Sequence, residues 1–227
     1  MEFTLMYRSI IPACGLAACL AVPFDASAAV INTSAESRID KTQTGTATLS
    51  GGSLAFGTGT NVEFRTLFEF DIASSSSDIA SADTIELVFQ IKGDINEGDI
   101  VDIIEIYNLD AGAADGSATA GDFAAAGSLV TTLASSSIAD EDVVTIDVTS
   151  FIKADLLAGQ TYSSFRLEGD DPVFDNGNHY FQAYKTSEAV GGIQAPVLNV
   201  TVPEPGSLAL AGLGGLTLLG RRRSKIS

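Results

Sequence analysis

Alternation of apolar and polar residues at period two is the strongest structural pattern in this chain, and it is clearest over residues 84–92. There Ile85, Leu87, Phe89 and Ile91 fall on one face, because successive side chains of a strand point to opposite sides. Similar segments recur between clusters of Gly, Ser, Asp and Asn, at residues 64–70, 99–107, 128–133, 143–148, 162–168, 179–185 and Val197–Val202. This spacing predicts an all-β antiparallel sandwich or barrel.

One short helix is predicted at residues 149–157. Thr149 is a candidate N-cap, and Gly159 follows where a left-handed C-cap residue is expected. An apolar stripe is formed by Phe151, Ile152, Leu156 and Leu157. We expect this helix to lie across the end of the sandwich.

The connection 110–123 is predicted to be mobile. It is rich in Ala, Gly, Ser and Asp and has few large apolar side chains to pack against the sheet.

Residues 1–28 have the pattern of a secretory signal peptide. An uncharged stretch at residues 10–22 follows Arg8, and Ala26 and Ala28 form a small-x-small cleavage site. The predicted partners are therefore the secretion translocon and signal peptidase, with cleavage after Ala28. A lipobox ending at Cys19 is the alternative, and it would make the product a lipoprotein.

Both cysteines, Cys14 and Cys19, lie in this leader. The body of about 174 residues, 29–202, therefore has no thiol, which excludes disulfides, thiolate zinc sites and cysteine catalysis there. A body of this length is long enough for one domain with a substantial apolar core.

The body is strongly acidic. It keeps 26 of the 29 acidic residues and 7 of the 12 basic ones, for a net charge of −19. Such a surface repels phosphate backbones, so the sequence excludes nucleic acid as a partner.

The C-terminus combines three features in order. Pro203, Glu204 and Pro205 precede an uncharged run at residues 207–220. A basic tail follows, formed by Arg221, Arg222, Arg223 and Lys225. The run would span roughly 21 Å as a helix, which is short for a bilayer core of about 30 Å. Because basic residues stay on the cytoplasmic side, everything before the run is expected to be exported. A permanent tail anchor and a buried core helix are the alternatives.

Residues 202–223 resemble the PEP-CTERM sorting signal of Gram-negative bacteria. In that family, exosortase, a membrane-embedded transpeptidase, recognises the Pro-Glu-Pro motif, and the logic is similar to that of GPI signals. The resemblance implies that exosortase is a partner and that residues 203–227 form a transmembrane sorting signal. It also implies an inner-membrane intermediate that then reaches the cell surface or the extracellular matrix of a Gram-negative bacterium.

Residues 64–71, 79–82, 146–149 and 195–200 resemble the DNRLRE domain, a family related to carbohydrate-binding modules. The resemblance implies a single jelly-roll-like antiparallel β-sandwich over residues 29–202. Members of that family commonly have a tryptophan in the helix that follows residue 148. This chain departs from the family there, because it has no tryptophan at all.

Exopolysaccharide is the candidate partner of the body. In a strand, Tyr180, Gln182 and Tyr184 share one face and would form a stripe for a glycan. The alternative is that these tyrosines pack against the sheet with their hydroxyls at its rim.

Calcium is the candidate cofactor, and no other cofactor is predicted. Oxygen ligands crowd one loop, and they are Asp170, Asp171, Asp175, Asn176 and Asn178. In so acidic a chain, such clusters also arise from composition alone.

Catalytic motifs are lacking in the sequence. His179 is the only histidine, and there is neither a Gly-x-Ser-x-Gly elbow nor a phosphate-binding loop. The sequence thus favours a non-catalytic surface or matrix protein that binds exopolysaccharide or is embedded in it. A small extracellular polysaccharide lyase using His179 with Tyr180 or Tyr184, or a glycosidase using a carboxylate pair, is the alternative.

Overall fold

The computed structural model describes residues 27–96, 103–170 and 179–202, which belong to one compact unit, Ala26–Glu204. The described strands are β1 Ser27–Thr42, β2 Ala47–Ser50, β3 Leu54–Gly59, β4 Val62–Asp71, β5 Thr84–Asn96, β6 Ile103–Leu109, β7 Gly127–Ala134, β8 Val143–Asp147, β9 Tyr162–Gly169, β10 His179–Ala183 and β11 Val197–Val202. The helices are α1 Ser76–Ser81 and α2 Thr149–Leu157, with short 3₁₀ turns at Ala120–Ala124, Ser135–Ser137 and Thr186–Glu188.

Six strands pair in a closed circuit. Following the hydrogen-bonded neighbours from β1 through β11, β5, β10, β3 and β4 leads back to β1. β2 is added beside β1, β8 beside β5, and β9, β6 and β7 continue outward from β4. All the recorded pairings are antiparallel, which confirms the predicted all-β antiparallel fold.

Two strands change partner at irregularities in their pairing. β1 pairs with β11 up to Asn32 and with β4 from Thr33 onward, and Ser34 is the extra residue at the shift. The Ser34 hydroxyl donates to the carbonyl of Glu69 at 3.0 Å, so the bulge is tied to β4. β5 pairs with β11 over 84–88 and with β10 over 91–96, and its register shifts at Lys92. Bulges bend a strand, which lets each of these strands pair with different neighbours along its length.

The apolar core is formed by buried side chains from most of the described strands. Phe68 of β4 meets Phe89 of β5 with ring centroids 5.8 Å apart, and Phe70 meets Phe165 of β9 at 6.2 Å. Ile85, Leu87, Phe89 and Ile91, the alternating residues of β5, all lie in this core. Burial of such side chains stabilises a fold by about 25 cal/mol per Å² of apolar surface.

The structure adds strands that the sequence pattern did not predict, namely β1, β2 and β3. β1 is long but has few large apolar residues, and among residues 28–42 only Ile31 and Ile39 are buried. β3 is buried throughout, so it shows no alternation. The predicted strand at 99–107 is described only from Ile103.

α2 has the predicted position, but two of its predicted details are wrong. Val148 occupies the N-cap, whereas Thr149 ties the helix start to β5 by accepting from the Ile85 amide at 2.8 Å. Ile152 is buried, but Leu157 is 88% exposed, so the apolar stripe of α2 is narrower than the sequence predicts. Gly159 has φ +77°, as expected of a left-handed C-cap. α1 was not predicted.

The connection between β6 and β7, predicted to be mobile, packs on the outer face of β4, β9 and β6. Ala113 forms a second small core with Leu67 and Leu109. Arg65 donates to the Phe123 carbonyl at 2.5 Å, and Arg166 donates to the Asp122 and Ala125 carbonyls at 3.1 and 2.7 Å. These hydrogen bonds replace the apolar contacts that the connection lacks, and its mobility stays a prediction.

The connection therefore buries charged side chains on a face of β4 and β9 that the alternating pattern predicts to be exposed to solvent. Glu168 accepts from Arg166 at 2.7 Å and from Arg65 at 2.8 Å, and Arg65 also pairs with Glu63 at 2.7 Å. Glu69 is wholly buried, and it accepts from the Ser164 hydroxyl at 2.6 Å. Burial raises the pKa of both Glu69 and Glu168.

We expect Arg166→Met to destabilise the body by about 3 to 5 kcal/mol, because it leaves the buried Glu168 and two carbonyls with fewer partners. Arg38→Met is the matched control. Arg38 also pairs with an acid two residues along, Asp40, but both side chains are partly exposed, so a loss of about 1 kcal/mol or less is expected. Urea unfolding monitored by circular dichroism measures the free energy of unfolding of the two variants. Equal losses in Arg166→Met and Arg38→Met would contradict the structural role of Arg166.

Glu69→Gln is expected to flatten the dependence of folding stability on pH. Because burial raises the pKa of Glu69, the folded state retains this proton to a higher pH than the unfolded chain does. Glu69 therefore makes the protein less stable as the pH rises from the ordinary glutamate pKa through the raised one. Glutamine removes this titration and can still accept from Ser164.

The measurement is the free energy of unfolding from about pH 4 to about pH 7, in the wild type and in Glu69→Gln. The same slope in Glu69→Gln as in the wild type would refute the assignment.

Candidate functional site

Tyr180, the first residue of the predicted glycan stripe, packs against the sheet. Phe64 of β4, Gly57 of β3 and Tyr180 of β10 occupy neighbouring positions in register. Because Gly57 has no side chain, the two rings meet above it edge to face, with centroids 5.0 Å apart. Tyr180 is thus half-buried, and part of its ring is already in contact with Phe64.

The other two stripe residues have different surroundings. Gln182 lies on β10 and is half-buried, whereas Tyr184 follows the end of this strand. The Tyr184 hydroxyl donates to Glu141 Oε1 at 2.7 Å, and this hydrogen bond raises the pKa of Tyr184. Lys92 Nζ lies 5.7 Å from the Tyr184 ring and pairs with Glu188. The glycan stripe stays a prediction.

The predicted calcium ligands fall mostly outside the described residues. Asp171, Asp175, Asn176 and Asn178 are among those that the structure does not describe, and Asp170 is exposed. Glu168, just before this loop, is occupied by Arg65 and Arg166. Across residues 27–96, 103–170 and 179–202, no group of three or more His, Cys, Asp or Glu side chains is arranged to hold a metal. The calcium site also stays a prediction.

The described residues nearest the two predicted processing sites belong to strands that pair with each other. Ala28 is the second residue of β1 and pairs with Thr201, while Ser27 pairs with Val202. Ala26, the sorting motif Pro203, Glu204 and Pro205, and the basic tail lie outside the described residues. No helix within the described ranges has the length and apolar character needed to cross a membrane.

A cleft that the sequence analysis did not predict lies beside α2. Its volume is about 500 Å³, and it is open to solvent. We call it the α2 cleft and define it by Asn108, Asp110, Ser128, Phe151, Asp155 and Gln160. A second cavity, of about 360 Å³, lies under the connection between β6 and β7 and shares Asp110 with it.

Asp155 organises the floor of the α2 cleft. Its Oδ2 accepts from the Asn108 amide at 3.0 Å and from the Ser163 hydroxyl at 2.5 Å, and its Oδ1 accepts from the Gln160 amide at 3.3 Å. Only 6% of Asp155 is exposed, and burial raises its pKa, with a smaller contribution from the charge of Asp110. Hydrogen bonds from three neighbours thus hold the polar floor in one arrangement.

One buried acceptor of a residue that lines the cleft has no partner among the described residues. Gln160 Oε1 is buried and accepts no hydrogen bond from the residues that the structure describes. The orientation of this amide follows from its neighbour, because reversing it would turn Oε1 toward the Asp155 carboxylate. A buried acceptor without a donor costs about 1 to 3 kcal/mol, so this oxygen lowers the stability of the fold.

The cleft residues come from distant segments, which is why no sequence motif marks them. One local signal was present. Asp155 lies three residues after the buried Ile152, on the side of α2 that faces the core. A charged residue in that position indicates a buried polar network rather than an apolar stripe.

Comparison with known proteins supports the reading of the C-terminus. A family model described as the PEP-CTERM protein-sorting motif matches residues 201–223, about a tenth of the chain. No curated protein matches the chain. The resemblance of the body to the DNRLRE family is not borne out. The motif indicates sorting to the cell exterior that depends on exosortase.

Proposed function

We propose that this chain is a non-catalytic protein of the cell surface or extracellular matrix, and that its body associates with exopolysaccharide. The observation that carries the proposal is the sorting motif at residues 201–223. In this account exosortase acts at Pro203, Glu204 and Pro205, and the protein passes through an inner-membrane intermediate in a Gram-negative cell.

The sorting motif directly follows the last strand of the body. β11 ends at Val202, and the Pro-Glu-Pro motif begins at the next residue. β11 is paired on both sides, with β1 and with β5. The body is therefore joined to the motif without a linker.

Leader removal has to precede completion of the sheet. The predicted scissile bond after Ala28 lies within β1, where Ala28 pairs with Thr201 and Ala29 with Val200. A protease that binds its substrate as an extended chain needs these backbone groups free. Signal peptidase therefore acts before β1 and β11 pair, and the new N-terminus then joins the sheet.

The use of charged and aromatic groups supports a body without catalysis. The buried ion pairs of Arg65 and Arg166 hold the connection between β6 and β7. Tyr184, which the lyase alternative uses as an acid or base, donates to Glu141, and this bond disfavours the tyrosinate. Incubation with exopolysaccharides distinguishes the lyase or glycosidase alternative, because an enzyme would release products.

Replacing Pro203, Glu204 and Pro205 together by alanine is expected to leave the full chain in the inner-membrane fraction, because the recognised motif is lost while the apolar run and basic tail stay. Fractionation and immunoblotting of expressing cells measure this. Ser207→Ala, within the uncharged run, is the control and should be sorted normally. Release of the triple variant to the medium at the wild-type rate would contradict the proposal.

Incubating the processed protein with neutral and acidic exopolysaccharides tests the role of the body. Retention without shortening of the polymer is the expected result. Release of oligosaccharides would overturn the non-catalytic assignment, and the absence of any retention would overturn the association with exopolysaccharide.

A further inference from the structure

We propose that residues 111–121, in the connection between β6 and β7, form a pH-sensitive strap that lies against β4 and β9 at acidic pH and lifts from them more often as the pH rises. Glu69 of β4 is the group that senses the pH. The inference concerns a conformational equilibrium of the body and does not depend on the proposed association with exopolysaccharide.

The strap is followed by a stretch that is held to the sheet independently of pH. Arg65 and Arg166 donate hydrogen bonds to backbone carbonyls of residues 122–125. Arginine keeps its charge in proteins, so these hydrogen bonds do not titrate. Residues 122–125 therefore form a fixed end about which the strap can turn.

Glu69 holds the middle of the strap. Its Oε1 accepts from the Gly116 amide at 3.4 Å and from the Ser164 hydroxyl of β9 at 2.6 Å. The side chain is wholly buried, and its Oε2 has no hydrogen-bond partner among the described residues. No ion pair within the described ranges includes Glu69. The strap thus covers a carboxyl group that no cation neutralises.

Two carboxylates of the connection face Glu69. Burial raises the pKa of Glu69, and the hydrogen bonds that it accepts offset this effect only in part. The charges of Asp115 and Asp122 raise the pKa further. Protonated Glu69 keeps both hydrogen bonds, because its Oε1 remains an acceptor. Ionised Glu69 instead places a buried charge beside two like charges, which is unfavourable.

The sheet around Glu69 supplies no free cation among the described residues. In register, Glu69 lies opposite the uncharged Ala35 of β1 and Ser164 of β9. The titratable side chains two positions along β4 and β9 on this face are Asp71, Tyr162 and Arg166. Of these only Arg166 is cationic, and it pairs with Glu168 at 2.7 Å.

Packing under the strap is loose. A cavity of about 360 Å³ lies there, and its lining includes Gly112, Thr119 and Gly121. Ala113 and Ala118 are the strap residues that pack into the second small core, which is separate from the main one. Gly116 adds a close contact with the Tyr162 ring. A segment with so few apolar contacts opens at a lower free energy than the strands beneath it.

The direction of the pH effect follows from linkage. When the strap lifts, Glu69 reaches water and its pKa returns toward the ordinary value of 4.5. The closed form therefore binds the proton more tightly than the open form. Closure is fully favoured below the ordinary pKa and weakens as the pH rises through the raised one.

Thiol labelling measures this opening, because the body has no cysteine of its own. Ala113→Cys places a thiol in the strap at a site that is 5% exposed, and Ala183→Cys places one in the main core. Ala124→Cys, at an exposed position, gives the rate of an unprotected thiol at each pH. The processed protein is treated with dithiodipyridine from about pH 5 to about pH 8, and peptide mapping locates the label.

We expect the labelling rate of Ala113→Cys, divided by that of Ala124→Cys, to rise about fivefold or more over this range. Adding Glu69→Gln should hold the ratio constant to within about twofold, because glutamine keeps an acceptor and cannot ionise. Asp71→Asn, on another half-buried carboxylate of β4, is the matched control and should keep the wild-type pH dependence. Ala183→Cys should stay protected throughout, since it reports global unfolding.

Equal labelling of Ala113→Cys and Ala183→Cys at every pH would overturn the proposal, because the strap would then open only when the whole body unfolds. A pH dependence that persists in Glu69→Gln would also overturn it. If Glu69→Gln does not fold, Asp115→Asn takes its place. Asp115 is exposed, and removing its charge should slow labelling of Ala113→Cys about twofold near pH 8. Unchanged labelling in Asp115→Asn would then refute the strap.

Discussion

β1 pairs with β11 through its first residues and with β4 through the rest, and this double pairing closes the circuit of six strands. A closed circuit leaves no free edge among its own members, which protects exported strands from pairing with other chains. The closure also places Ser27 opposite Val202, so the predicted cleavage site after Ala28 and the last residue before the Pro-Glu-Pro motif lie on adjacent paired strands.

A second constraint comes from buried charge in a body that has no disulfides. Arg65 and Arg166 share the Glu168 carboxylate and donate to backbone carbonyls of the connection between β6 and β7. The acidic composition therefore serves two purposes. Most carboxylates among the described residues are exposed or half-buried, while a few are buried and hold a polar connection against the sheet. The α2 cleft uses the same device, because Asp155 holds the amides that line it.

The residue pattern along the sequence predicted those elements whose structure depends mainly on residues close together in the chain. Period-two alternation over residues 84–92 identified the core side of β5, and Gly159 marked the end of α2. β1 escaped prediction because its stability comes from partners distant in sequence rather than from its own apolar residues. Glu69 lies on the face of β4 opposite the buried Phe68 and Phe70, where alternation predicts exposure, and its burial depends on a connection some 45 residues later in the chain. For the same reason the cleft beside α2 could not be found from a motif, whereas the sorting signal, which is contiguous, could.

Amide hydrogen exchange of the processed protein, measured by mass spectrometry, tests the closure by β1 most directly. Peptides from residues 29–42 and 197–202 are predicted to exchange only with global unfolding, because β1 and β11 are paired within the circuit. β7, whose described pairing is with β6 alone, provides the reference for an edge strand. If residues 29–42 exchanged as fast as β7 while β4 and β5 stayed protected, the circuit would be open at β1 and the account would be wrong.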